Sequence, residues 1–271
     1  MKHFRAYKPR LYIASDHAPY YSEVALQLSI IGATQTGRTV FSTISSGRHD
    51  VRIMVFQNAS LQAEAFSNDK DYPDSLEQGA HSYDTLNVGT KEENYRAHIT
   101  VPMQMSVGTG RGANTTIAYH PAGFRQQAKH HAREVGPNPA DVVLLHELVH
   151  AIRGSAGIQN HRSIYHDLAM RNYEEFCALV VENTYRSERG LDLRRRYLDK
   201  QRVTEGRTDT DFAFYREYAS DIDHWLEVQP VFFNAMAAVP ATFNPFRAAL
   251  LTRAGAKAKA MLQPFARLVR R

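Results

Sequence analysis

Cysteine is almost missing from this chain of 271 residues. The lone Cys177 cannot close an intramolecular disulfide, which excludes a disulfide scaffold and suits a reducing compartment. It falls among apolar residues and is expected to be a small core residue. No stretch approaches the roughly 18 consecutive apolar residues of a spanning helix, so no membrane span is expected. Residues 1–15 also lack the apolar run of about 7 to 15 residues that marks a signal peptide, and any export would use another signal. No internal repeat is evident. Acidic residues are absent from 244–271, where Arg247, Arg253, Lys257, Lys259, Arg267, Arg270 and Arg271 fall. The whole chain is net +5, so the remainder is slightly acidic. No nucleic-acid motif accompanies the basic end, which is expected to be a solvated helix face rather than a nucleic-acid site.

What the chain does contain is 43% apolar and 23% charged residues, enough for a full core in one large domain or in one domain with an appendage. Within it, His146-Glu147-Leu148-Val149-His150 carries the strongest chemical signal. At about 100° and 1.5 Å per residue, helical positions four apart share one face about 6 Å apart, so both imidazoles reach one ion. Glu147 lies one step round the helix, where it can take a proton from an attacking water as general base. Zinc suits this donor set, one ion per chain, because it binds neutral imidazole and carboxylate oxygen and activates water at neutral pH. The context is helical. Asn138 reads as an N-cap, Pro139 as the first helical residue and Asp141 as a first-turn acid. Val142, Val143, Leu144, Leu145, Leu148, Val149 and Ile152 make the helix apolar nearly all round, with Gly154 as its stop. Inside a buried helix, two histidines and a glutamate each carry a desolvation cost of a few kcal/mol unless something satisfies them.

A catalytic zinc site needs a third protein ligand and an open fourth position. A third histidine six residues after His150 is excluded, because Ala156 stands there, and Arg153 stands where the same pattern needs glycine. The next strongly patterned segment supplies Glu174 and Glu175. Tyr173, Phe176, Cys177, Val180 and Val181 form an apolar stripe centred near Cys177, which puts Glu174 about 60° from its centre and Glu175 about 160° away. Glu174 is therefore the expected ligand, and Glu175 a solvated carboxylate or one that orients a ligand imidazole. His161, His166 and Asp167 are competing ligands. For the developing oxyanion, Tyr197 or Tyr165 is a candidate donor. Along one continuous helix, Glu182, Asn183 and Arg186 stand about 12 to 18 Å from Glu174, too far to touch the metal. Arg186 then reads as structural, paired with Glu182 four residues earlier.

The remaining elements place this site in an α+β fold with a small mixed sheet, a central metal-binding helix and a helical C-terminal region. Residues 22–31 and 36–44 read as helices, and residues 49–57 as a strand. The polar stretch 58–114 is long for a structureless connection and is expected to hold strands and a substrate-facing loop. Its Gly108, Gly110 and Gly112 read as a flexible turn rather than a phosphate cradle. Residues 115–120 read as a strand, with Tyr119 or His120 bordering a cleft beside the metal helix. Residues 191–201 read as a basic helix, and residues from 211 onward as mainly helical with Trp225, Phe232 and Phe233 in the core.

The combination of His-Glu-Leu-Val-His-Ala at 146–151, Glu174-Glu175, the segment 182–190 and Arg194 to Tyr197 resembles the NleD/HopH-type zinc metallopeptidase effectors. Related domains end bacterial polymorphic toxins. The likeness covers about residues 138 to 197. It implies a zincin-like metalloprotease core, taken as residues 1–200, and the helical pattern beyond it makes 201–271 a helical C-terminal extension packed on that core. It also implies an effector or toxin, cytoplasmic in a bacterium before export and then secreted or injected into a target cell. There it would cleave a protein, a host kinase being one candidate, and an immunity protein or secretion chaperone would be a further partner. The alternative is a non-catalytic zinc-containing binding module with a basic C-terminal tail.

Overall fold

Short runs of β-branched and apolar residues build the central sheet, because such residues pack well on a pleated surface buried on both faces. A computed structural model describes residues 3–55, 64–67, 85–94, 99–121, 139–164, 166–194, 202–203 and 210–268. Strands β1 (Phe4–Lys8), β2 (Leu11–Ala14), β3 (Val51–Met54) and β4 (Glu64–Ser67) are followed by the hairpin pair β5 (Thr85–Asn94) and β6 (Ile99–Gly108), then by β7 (Thr115–Ala118). The sheet order is β1-β2-β3-β7-β4. The inner pairs β2/β3 and β3/β7 are parallel, and the outer pairs are antiparallel. Leu11, Ile13, Val51, Ile53 and Ile117 are fully buried along it.

Helices cover this mixed sheet. Helices α1 (Ala18–Ala33) and α2 (Gln35–Ser46) form the crossover from β2 to β3. Thr34 separates them, and its hydroxyl accepts the Gly37 amide at 3.0 Å as the cap of α2. Helices α3 (Ala140–Ala156) and α4 (Tyr173–Glu188) follow β7 and lead to the two-residue strands β8 (Leu193–Arg194) and β9 (Arg202–Val203). Four further helices complete the eight of the described residues: α5 (Thr210–Glu217), α6 (Ala219–Val228), α7 (Pro230–Ala237) and α8 (Pro245–Leu268). The fold is α+β with a small mixed sheet, and none of its described helices is long and apolar enough to cross a membrane. The C-terminal helices share the central core: Trp225, Phe232, Phe233 and Phe246 are buried in the same cluster as Val142 and Leu148. Tyr173 donates to the Asp221 carbonyl at 3.0 Å, and Tyr218 to the Asp167 carboxylate at 2.6 Å.

Several sequence expectations shift. The metal-motif helix begins at Ala140, with Pro139 as its flanking residue; Asn138 lies outside the described residues. It runs through Gly154 and stops at Gly157, whose φ of 68° is the left-handed conformation glycine adopts cheaply. Strand β7 is internal, between β3 and β4, and all four of its residues are buried; β4 holds the edge position. Tyr119 therefore does not border a cleft: it is fully buried, and its hydroxyl donates to the Ala140 carbonyl at 2.8 Å. Leu193 and Arg194 pair with Val203 and Arg202 as a ladder where a helix was expected; residues 195–201 lie outside the described residues.

The glycines of the 108–112 turn have a specific use. A Cβ on Gly108 would lie 2.0 Å from the Gly157 carbonyl oxygen, and one on Gly112 equally close to that of Ser155. Absence of side chains lets the turn press against the end of α3, where the Gly110 amide donates to the Gly157 carbonyl at 2.9 Å. Gly112→Ala should then cost about 2 to 4 kcal/mol in a urea midpoint, combining left-handed strain at φ 76° with overpacking. Gly110→Ala, at φ 84° with open space around it, should cost only about 1 to 2 kcal/mol. Equal losses would mean that the turn does not press on the helix.

Candidate metal centre

Helices α3 and α4 pack antiparallel, and four sets of polar contacts trace their shared face. Near the start of α3, Asp141 accepts from the Tyr185 hydroxyl at 2.6 Å and from Arg189. One turn on, His146 meets Glu182, then His146 and His150 meet Glu175; at the end of α3, Arg153 meets Glu174. As positions advance along α3 they retreat along α4. That register decides which glutamate reaches the histidines.

The histidine pair behaves as helix pitch dictates. The two rings stand edge to face with centroids 4.9 Å apart. Nε2 of His146 is 3.1 Å from Glu175 Oε2, and Nε2 of His150 is 3.5 Å from the same oxygen. One potential ligand atom from each of the three residues lies within 4.8 Å of the other two. Corners of a tetrahedron with bonds of about 2.0 to 2.2 Å are separated by about 3.3 to 3.6 Å, close to these spacings.

Glu174, the ligand expected from the apolar stripe, is elsewhere. Both of its oxygens accept from the Arg153 guanidinium at 2.8 Å, and Oε1 also accepts the Asn160 amide. The stripe misled because α4 has no single apolar side: residues from Tyr173 to Ser187 are buried nearly all round, and Glu175 is the exception in the first turns. Arg153, fully buried, lies over the rings of Tyr173 and Trp225 at 5.3 and 5.5 Å from their centroids. Its fork matches a carboxylate, so Nε and Nη2 of Arg153 neutralise Glu174 inside the core, while the buried Nη1 has no hydrogen-bond partner among the described residues. Cys177 sits in the same interior, and burial pushes its thiol up to about 12 against the pull of Arg153.

Glu182 is the residue that sequence reasoning placed too far from Glu174 to touch the metal. It is not one of the three clustered residues, yet its Oε2 is 3.0 Å from His146 Nδ1. The clue was its spacing from Glu175: seven residues bring a helix back to within about 20° of the same direction. Glu182 also accepts from Arg186 at 2.7 Å, as expected of the pair four residues apart, and from Arg194 at 3.0 Å. Asn183 clamps the Arg194 backbone, with its side-chain amide donating to the carbonyl at 2.7 Å and its oxygen accepting the amide at 2.8 Å. The two arginines give the 182–194 motif a physical meaning, since they balance a buried carboxylate that holds an imidazole.

Electrostatics follow from this arrangement. Burial alone would raise the Glu182 carboxyl, but Arg194, the hydrogen bond to His146 and Arg186 hold it well below the usual carboxylate range. Burial likewise opposes ionisation of Glu175, and its hydrogen bonds to His146 and His150 outweigh that penalty and hold it low. For His146, burial acts downward, yet the bonds to Glu175 and Glu182 prevail and raise its pKa above the ordinary 6.5.

The other candidates separate. Glu147, next to His146 on α3, is buried. His161 lies beside the triad: burial lowers its pKa, and Glu174, His150 and Glu175 are among its electrostatic neighbours. His166 is exposed, its ring tilted against that of Tyr218, while Asp167 caps the short 3-10 turn Leu168–Met170. Neither joins the triad among the described residues. Tyr197 and Tyr165 lie outside the described residues. Comparison with known proteins finds no matching family model, no matching curated protein and no matching solved structure.

The division of labour between the adjacent glutamates is testable. Glu174→Ala strands a fully buried guanidinium and should cost about 3 to 5 kcal/mol in chemical denaturation. Glu175→Ala removes a carboxylate at the edge of the buried face and should cost clearly less. The reverse order would place the structural ion pair at the wrong glutamate.

Proposed function

We propose that this chain is a zinc-dependent endopeptidase in which His146, His150 and Glu175 hold one zinc ion and Glu147 is the general base. The observation that carries this reading is the meeting of two imidazole Nε2 atoms and a carboxylate oxygen at 3.1 and 3.5 Å. A neutral imidazole whose Nδ1–H donates a hydrogen bond to Glu182 presents a lone pair at Nε2, facing the acceptor-only oxygen of Glu175. Electron pairs so arranged need a proton or a cation between them, and the donor set of nitrogen and oxygen suits zinc. Glu182 then fixes the tautomer and orientation of His146, the role carboxylates commonly take behind ligand histidines.

When bound, zinc would polarise a peptide carbonyl and lower the pKa of a water toward about 7. Glu147 takes the proton as the water oxygen adds to the carbonyl carbon, then passes it to the amine nitrogen as the C–N bond breaks. Among the described residues β4, against which α3 packs, is the edge strand of the sheet and would give an extended substrate a backbone partner. The resemblance of the 146–197 motifs to NleD/HopH-type effectors supports a bacterial effector or toxin that cleaves a protein in a target cell.

Glu147→Gln should leave zinc near one equivalent by elemental analysis while lowering peptide hydrolysis about 100- to 10,000-fold. His146→Ala should lose the metal instead. Retained hydrolysis by Glu147→Gln removes that residue from the mechanism.

Zinc affinity should also depend on pH with a defined sign. His146 binds metal only when Nε2 is unprotonated, and its raised pKa keeps the metal-free protein protonated above pH 6.5. Apparent affinity should therefore climb with pH and level off above that raised pKa, losing about tenfold per unit on the acid side for this one proton. A flat response from pH 6 to 8 by chelator competition would contradict the ligand assignment.

A further inference from the structure

Arg171 adopts a backbone conformation that its side chain makes costly. Its φ is 66° and its ψ is −70°. The Asn172 amide donates to the Met170 carbonyl at 2.9 Å across it, which makes Arg171 the central residue of a γ-turn of the rare, strained hand. Glycine would occupy this position with little strain, and the chain has arginine there. Turns of this kind persist when the surroundings over-determine them, and they cluster where a side chain must be aimed.

The surroundings here are the metal centre. Asn172 caps α4 by accepting the Glu175 amide at 3.0 Å, which fixes the backbone of that residue. Arg171, on the other side of the cap, places its Nη1 3.3 Å from Glu175 Oε1. The other oxygen, Oε2, faces both imidazoles. The carboxylate is thus held from behind by a guanidinium while its front oxygen points at the site. The Arg171 side chain is 59% exposed, and an ion pair so exposed adds little to stability. The strength of this ion pair alone does not account for the strained turn.

We propose that Arg171 is a positioning residue for the metal centre: the γ-turn aims its guanidinium at one oxygen of Glu175 so that the other is presented between His146 and His150. This rests on the assignment of those three residues as zinc ligands. Orienting groups behind a ligand typically change metal affinity about 10- to 100-fold when removed. Arginine suits the position because it stays charged at every working pH and cannot itself compete for the cation.

The test uses the full chain, with zinc affinity read by competition against a chromophoric chelator and thermal midpoint read on the metal-free protein. Wild-type protein is titrated first, and one equivalent of tight zinc is expected. Arg171→Gly relieves the turn, so its metal-free midpoint should be equal or higher while its zinc affinity falls about 10- to 100-fold. Arg171→Lys, which keeps the cation, should recover part of that loss. Unchanged zinc affinity in Arg171→Gly overturns the proposal while leaving the metal centre standing. A lower metal-free midpoint in Arg171→Gly makes the residue a structural one and also overturns it. Wild-type protein that takes up no zinc overturns the ligand assignment itself, and the positioning role with it.

Discussion

Two imidazole nitrogens and a carboxylate oxygen facing one another at little more than hydrogen-bond distance form the constraint on which the centre depends. Left as bare electron pairs they repel, and a cation or shared protons must fill the space. The register between α3 and α4 creates that meeting. Asp141 with Tyr185 and Arg189 fastens one end of the helix pair, and Arg153 with Glu174 fastens the other. Between these ends the histidines and glutamates have little freedom to slide apart.

Buried charge explains why each carboxylate on α4 has its own partner. An unpaired buried ion is destabilising by several kcal/mol, so a helix that buries several acids must compensate each. Glu174 has Arg153, and Glu182 has Arg186 and Arg194. Glu175 pairs with the histidines in front and with the half-exposed Arg171 behind. Arginines neutralise Glu174 and Glu182 inside the core, whereas Glu175 is the carboxylate that faces both imidazoles. The Glu182 network extends the centre outward, because the Asn183 clamp on Arg194 ties β8 to the carboxylate behind His146.

The sequence disclosed those parts of the site that depend on local helix geometry. His146 and His150 share a face because they are four residues apart, and the Glu182–Arg186 pair follows from the same spacing. The choice between Glu174 and Glu175 was not legible, since an apolar stripe marks the core face only when the opposite face meets water, and α4 is buried on both. Arg153, which pairs with Glu174, and the histidines that meet Glu175 come from another helix, and the register that selects them is a tertiary property. Strand β7 was legible as a strand, but its internal position depends on β4 pairing beyond it. The glycines at 108–112 read as a turn, while their close approach to α3 is visible only in three dimensions.

X-ray absorption at the zinc edge on metal-replete protein tests the central claim most directly, because it reports the ligand types and bond lengths around the ion itself. The account predicts two imidazole nitrogens and one carboxylate oxygen at about 2.0 to 2.2 Å, with a further light oxygen at an exchangeable position. A sulfur ligand, or four protein ligands with no exchangeable oxygen, would contradict it.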